Sequence, residues 1–282
     1  MPTELKAAFI RALAGAGLKE IEATSFVSPK WVPQLSDAQE LWPQIEDVEA
    51  RLSALVPNAK GLERAMDVGV RRIALFTAAS DEFTKRNINM SVEESLAAFE
   101  QVVRAFRESA GPNSWVRGYL STAFECPYAG RIRPPRVAEI AGALIAIGCD
   151  EVSLGDTIGV AVPVEVEALT SALGDSGLDF AKVAWHFHDT RGTALSNVAR
   201  AWDLGFRAFD ASAAGLGGCP YAPGAAGNLA TEDLVYYLER SGIPSGVDLM
   251  ALAEASLPVL RHLGRPPQAK SQVAALASSV PR

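Results

Sequence analysis

Seven short apolar runs, each followed by a stretch of helical periodicity or by a loop, constrain this chain more than any other feature. The runs are Lys19–Ser25, Leu52–Val56, Arg72–Thr77, Trp115–Leu120, Glu151–Leu154, Val183–His188 and Ala208–Ala213. Between them, segments such as 91-SVEESLAAFEQVVRAF-106 and 136-RVAEIAGALIAIG-148 repeat apolar residues every three and four positions, the period of a helix with one buried face. Ser91 and Glu94 have capping-box spacing, which marks a helix start, and Gly148 is placed as a C-cap. Strand and helix alternating this regularly predict βα units and a parallel sheet. The first 18 residues read as an amphipathic helix closed by Gly15 and Gly17, with a transit peptide as the weaker alternative; Glu4, Lys6 and Arg11 interrupt any secretory core. No Pro/Ser-rich linker or shift in composition divides the chain. A single α/β domain over residues 1–282 is expected, its last 30 or so residues a helical extension. The repeat count suits a (β/α)8 TIM barrel better than a doubly wound sheet, because no Gly-rich dinucleotide loop follows an early strand. But the runs number seven, and the chain opens on a helix, so the barrel is expected to lack its first strand.

At 282 residues, with 49% hydrophobic and 21% charged, the chain can bury a substantial core. Its net charge of −7 argues against a nucleic-acid surface, while leaving an anionic small substrate open to local Lys and Arg. No apolar run reaches the ~20 residues that span a bilayer, so no membrane partner is expected. Cys126, Cys149 and Cys219 form neither a CxxC nor an even framework, which predicts reduced thiols and a cytoplasmic setting.

Four stretches carry candidate chemistry. In 183-VAWHFHDTRGTAL-195, His186 and His188 are two apart on a predicted strand and share a face. At the C-terminal end of a barrel strand, an inward face is the active-site mouth, and two imidazoles there can share a divalent ion. A pair of hydrogen-bonded core histidines is the alternative, and the spacing leaves both open. In 215-GLGGCPYAPGAAGNLATEDLVYYL-238, glycines and small residues predict a loop able to adopt unusual φ/ψ and to move. Cys219 sits in it between Gly218 and Pro220, where no core is expected, and reads as a functional thiol. Asn228 at the loop's exit is either an amide-oxygen ligand or an N-cap, the default for Asn at such a place. In 150-DEVSLGDTIG-159, Asp156 is at a strand's C-terminal end, a site residue or a turn aspartate. Glu22, in 19-KEIEATSFVSPKWVPQLSD-37, lies inside a strand, where a carboxylate is costly unless paired; it faces a polar mouth or is an outward surface charge.

Taken together, EATSFVSPKWVPQ, ECPYAGRI, VSLGDTIG, HFHDT and GLGGCPYAPGAAGNLATEDLVY resemble the 3-hydroxy-3-methylglutaryl-CoA lyase family, from the first helix to about residue 250. HxHDT is shared across a wider group of TIM-barrel metal-dependent lyases and Claisen-type synthases; the Cys219 loop with Asn228 marks the lyase branch. The resemblance implies His186, His188 and Asn228 as metal ligands, for Mg2+ or Mn2+, with Cys219, His186 and Glu22 in catalysis and Asp156 and Thr190 in the substrate pocket. It implies an acyl-CoA substrate and a retro-Claisen cleavage to acetoacetate and acetyl-CoA, and is compatible with a homodimer. Lys30, Lys60, Lys85 and Arg86 are the basic candidates for CoA phosphates. The family also opens on a strand ending Arg-Asp-Gly-Leu-Gln, whose Asp is a ligand and whose Arg stabilises the enolate. That string is absent here. A seven-stranded barrel exposes two sheet edges, so an N-terminally truncated form with impaired activity is expected. A condensing enzyme of the same barrel group and a non-catalytic relative are the alternatives.

Overall fold

The computed structural model describes residues 1–217 and 227–278. Seven strands lie over the seven apolar runs: β1 (Glu20–Ser25), β2 (Arg51–Leu55), β3 (Arg72–Ala78), β4 (Trp115–Ser121), β5 (Glu151–Asp156), β6 (Val183–Phe187) and β7 (Ala208–Asp210). Their order in the sheet is their order in the chain. The β1–β2, β4–β5, β5–β6 and β6–β7 pairings are parallel. The architecture is an α/β fold on a parallel sheet, resembling a TIM barrel with seven of its eight strands. A two-stranded hairpin, Glu125–Cys126 against Gly130–Arg131, is added outside that sheet.

The chain divides into two compact units. One comprises Met1–Arg72, Ser212–Leu216 and Ala230–Arg282; the other comprises Ile73–Ala211 and Gly217–Leu229. In the first, β1 buries Ile21 and leaves Glu20 and Glu22 exposed, with a register shift between Glu22 and Thr24. Glu20 pairs with Arg51 at 2.6 Å and Arg72 at 3.0 Å. The opening helix, Thr3–Gly15, ends as expected, with Gly17 at φ 107°. The helices Leu249–Ala255, Leu257–His262 and Lys270–Ser278 close this unit. The last is docked by fully buried Gln272, which donates to Ala253 O at 2.8 Å and Ser256 Oγ at 2.6 Å.

In the second unit, helix Val92–Ala110 carries the capping box that Ser91 and Glu94 predict. Helix Pro134–Ala146 runs out through Ile147 to Gly148, whose φ of 105° only glycine adopts easily. A glycine also governs how close this helix comes to β4: a Cβ on Gly118 would stand 3.1 Å from both Leu144 methyls. On β6 the alternation of side chains sends Trp185 and Phe187 to one face and His186 to the other. The two aromatic rings stack at 5.4 Å, and Phe206 meets Trp185 edge-on at 5.2 Å, all fully buried. Losing Trp185 from such a core would cost about 3–5 kcal/mol. Strand β7 ends at Asp210, three residues before its apolar run does. The chain there enters a short 3-10 turn, Ala213–Gly215, with Ala214 left-handed at φ 56°, a geometry that ends pairing.

Candidate active site

Strand register brings chemistry-bearing residues of β4, β5, β6 and β7 together. Arg117 pairs with Glu151 and Tyr119 with Ser153 across β4–β5; Gly155, His186 and Asp210 align across β5–β6–β7. The result is a continuous polar network in the second unit. Arg117 Nε lies 2.7 Å from Glu151 Oε1, and its Nη1 lies 2.8 Å from Asp210 Oδ1. Asp210 Oδ2 accepts from Ser153 Oγ at 2.7 Å and lies 3.2 Å from His186 Nδ1. His186 Nε2 lies 2.9 Å from Asn228 Oδ1. Tyr119 sits under the Arg117 guanidinium at 5.2 Å and meets the His186 ring edge-on at 6.2 Å.

The electrostatics follow from these contacts. Burial opposes ionisation of Asp210, but the Arg117 charge and the His186 contact outweigh it and hold the carboxyl far below its usual range. Burial likewise opposes charge on His186, yet the Asp210 hydrogen bond and charge, helped by Asn228, raise its pKa. Arg117, held against Asp210 and Glu151, is raised further above its already high value.

His188 stands one residue past β6 and is buried, its ring 5.3 Å from that of His186. It forms a β-bridge with Asn228, and the flanking bonds Leu229 N to Phe187 O (3.0 Å) and Asp189 N to Gly227 O (3.3 Å) lay 227–229 beside 187–189. The helix that follows, Thr231–Arg240, has Ala230 as its N-cap, so Asn228 does not fill that role. Gly217 packs closely here: a Cβ would stand 2.9 Å from Asn228 Nδ2.

Three candidate ligands, His186, His188 and Asn228, therefore lie side by side. Two ligands ~2.1 Å from one octahedral ion, on adjacent positions, stand about 3.0 Å apart. The 2.9 Å between His186 Nε2 and Asn228 Oδ1 fits that spacing. Among the described residues no group of three or more His, Cys, Asp or Glu is placed to hold a metal; the set here relies on an amide oxygen instead.

The other candidates have surroundings of their own. Asp156 is the last residue of β5, 1% exposed, and pairs in register with Phe187, not His186. Its carboxylate accepts from the Val160 and Ala161 amides, both at 3.0 Å, and burial pushes its pKa up to about 6. Thr190 is half-buried against the same loop, where a Cβ on Gly159 would come 2.7 Å from its Oγ1. Glu22 belongs to the first unit, exposed on β1. Cys219 lies outside the described residues. Cys126 and Cys149 are free and buried, and burial, with Asp150 nearby, pushes the Cys149 thiol up to about 12, which makes it inert. Among the basic candidates, Arg86 stacks over Tyr128 at 4.3 Å. Sequence reasoning missed Arg117, Glu151, Ser153 and Asp210. The available signal was the one applied to Glu22, charge inside a strand, which Arg117 and Asp210 share.

The family model described as HMGL-like matches residues 1–259. The chain is 47% identical over 269 residues to the Pongo abelii "Hydroxymethylglutaryl-CoA lyase, mitochondrial", covering 95% of this chain and 82% of the relative. The solved hydroxymethylglutaryl-CoA lyase of Pseudomonas aeruginosa superposes with a TM-score of 0.94 at 42% identity, over 99% of this chain and 92% of that one. An HMG-CoA lyase from Acinetobacter baumannii, in complex with coenzyme A and 3-methylmalate, gives 0.91 at 35% identity, over 100% and 91%. The expected cytoplasmic setting needs correction. Relatives from Pongo abelii, Bos taurus and Homo sapiens are named mitochondrial, against one from Rattus norvegicus named cytoplasmic. Reduced thiols report a reducing compartment without saying which one. With this match over most of its length, the chain belongs to the HMGL-like family, that of the hydroxymethylglutaryl-CoA lyases.

Proposed function

We propose that this chain is a carbon–carbon lyase that cleaves 3-hydroxy-3-methylglutaryl-CoA to acetoacetate and acetyl-CoA. In this reading His186, His188 and Asn228 hold a divalent cation, Mg2+ or Mn2+. The observation that carries it is the convergence of His186 Nε2 and Asn228 Oδ1 at 2.9 Å at the end of β6, in a chain 47% identical to a named lyase. Family membership implies metal dependence, and the imidazole-plus-amide set suits these ions. The relative bound to coenzyme A and 3-methylmalate, a hydroxydicarboxylate, supports a hydroxyacyl-CoA substrate.

The chemistry sets what the residues must do. The tertiary hydroxyl gives up its proton, and the bond between its carbon and the thioester's α-carbon breaks. That electron pair passes to the thioester as an enolate, which then takes a proton on carbon. The net change is one proton moved from oxygen to carbon, with no redox partner. When bound, the cation supplies Lewis acidity that orients the substrate and eases loss of the hydroxyl proton. His186, its Nδ1 held by Asp210, presents Nε2 beside Asn228 as the ligand that would fix the cation next to the substrate hydroxyl. Asp156 and Thr190 shape the wall of the pocket through the 157–162 loop. Glu22 and Cys219 serve the proton transfers and exclusion of water.

Among these 282 residues no arginine is followed by aspartate, so the ligand and enolate-stabilising arginine of the Arg-Asp-Gly-Leu-Gln string have no counterpart. The test is product analysis by mass spectrometry after long incubation with substrate and Mn2+. Equal amounts of acetoacetate and acetyl-CoA, abolished by chelation and restored by Mn2+, are expected. Free CoA without acetoacetate, or turnover indifferent to chelation, would contradict the proposal.

A further inference from the structure

We infer that Asp210 is a positioning residue for this site: clamped by Arg117 and Ser153, it holds the Nδ1 proton of His186 and so turns Nε2 toward Asn228. The inference rests on the proposed role of His186 and names how that side chain is held.

The geometry has four strands converging on one imidazole. Both carboxylate oxygens of Asp210 are engaged: Oδ1 by Arg117 Nη1 at 2.8 Å, Oδ2 by Ser153 Oγ at 2.7 Å and His186 Nδ1 at 3.2 Å. Arg117 is fixed in turn by Glu151 at 2.7 Å. The side chains of Arg117, Glu151 and Asp210 are only 15%, 19% and 16% exposed, so this ion triad is largely withdrawn from water. Such triads are poor stabilisers, because desolvation offsets most of their attraction, and apolar residues would hold the strands at least as well. The triad itself carries two carboxylates to one guanidinium, and the Asp210 carboxylate faces Nδ1. A carboxylate held there cannot rotate away, and which nitrogen of a histidine faces a ligand is decided by the bond its other nitrogen makes.

Asp210→Asn tests this with the shape kept. Glu151 still neutralises Arg117, so the variant is expected to fold. Its amide oxygen stays with Arg117, which turns its NH2 toward Nδ1. Nδ1 then accepts, and the ring's proton moves to Nε2, where it blocks a cation. The chain has only three histidines, so long-range 1H–15N spectra can resolve them, with His186 assigned by its loss in His186→Gln. In alkaline solution the unaltered chain without Mn2+ is expected to show His186 protonated on Nδ1, the Asn228 amide turning its NH2 to donate to Nε2, and Asp210→Asn to show the proton on Nε2, donating to Asn228 Oδ1. Mn2+ affinity should fall roughly 10–100-fold in the variant, the typical cost of removing such an outer partner. A His186 protonated on Nε2 in the unaltered chain would overturn the inference without any variant. So would an Asp210→Asn chain that keeps the original tautomer and Mn2+ affinity. If instead the unaltered chain has the Nδ1 tautomer but binds no Mn2+, the metal reading fails and the positioning role stands.

Discussion

Two aspartates sit at the C-terminal ends of strands in the same unit, and their surroundings drive them in opposite directions. Asp156 at the end of β5 meets only backbone amides, and burial pushes its carboxyl up to about 6. Asp210 at the end of β7 meets a guanidinium, a hydroxyl and an imidazole, and stays ionised far below the usual range. Burial is a cost to both; what differs is that Asp210 has a guanidinium in direct contact, whereas Arg191 lowers Asp156 only weakly and Glu165 opposes it. Asp156 ties residues 160 and 161 back to its own strand, while Asp210 presents charge to the His186 ring.

The largest expected effect that sharpens this contrast is at the ring Asp210 serves. His186→Ala should lower metal-dependent acetoacetate formation by at least ~100-fold while leaving the thermal midpoint within a few degrees. An activity loss tracked by an equal loss of folded protein would reduce His186 to a packing role. At the other end, the folded pKa of Asp156, about 6, lies above its ordinary 3.8. Its contribution to stability is fully present below pH 3.8 and is lost as pH rises toward 6, a change of about 3 kcal/mol at most. Urea unfolding at pH 4 and pH 7 should show that slope flattened in Asp156→Asn, with Mn2+ binding unchanged. A variant with the original slope would break the comparison from its structural side.

A smaller effect is expected next door. Thr157 Oγ1 accepts the buried N–H of Thr122 at 2.7 Å, where Thr122 is left-handed at φ 56°. Thr157→Val leaves that donor unanswered and should cost about 1–3 kcal/mol by denaturant titration, without altering cation affinity. Smallest of all, Ser153→Ala removes one of the contacts to Asp210 but neither its charge nor its Arg117 clamp. Calorimetry should show Mn2+ affinity within about 5-fold of the parent, as befits one neutral hydrogen bond.

The strands were legible because each is a local event. Apolar runs marked β1 through β6 to within about two residues at each end, and only β7 ran long, since the left-handed turn at Ala214 has no apolar signature. His186 and His188 were legible as a pair because period two needs no tertiary knowledge. Asn228 needed one more fact, that the next helix starts from Ala230. Arg117, Ser153 and Asp210 were out of reach because they lie 93 positions apart end to end and meet only through register across three strand pairings. Conversely Asp156 was picked out by position alone, and its partners, two amides of its own loop, could not be read from residue types.

The central claim is that the end of β6 holds a divalent cation through His186. Electron paramagnetic resonance titration of Mn2+ into the chain and into His186→Ala tests it most directly. One saturable site per chain, lost in the variant, is the predicted result. Superimposable isotherms for the two proteins would contradict it.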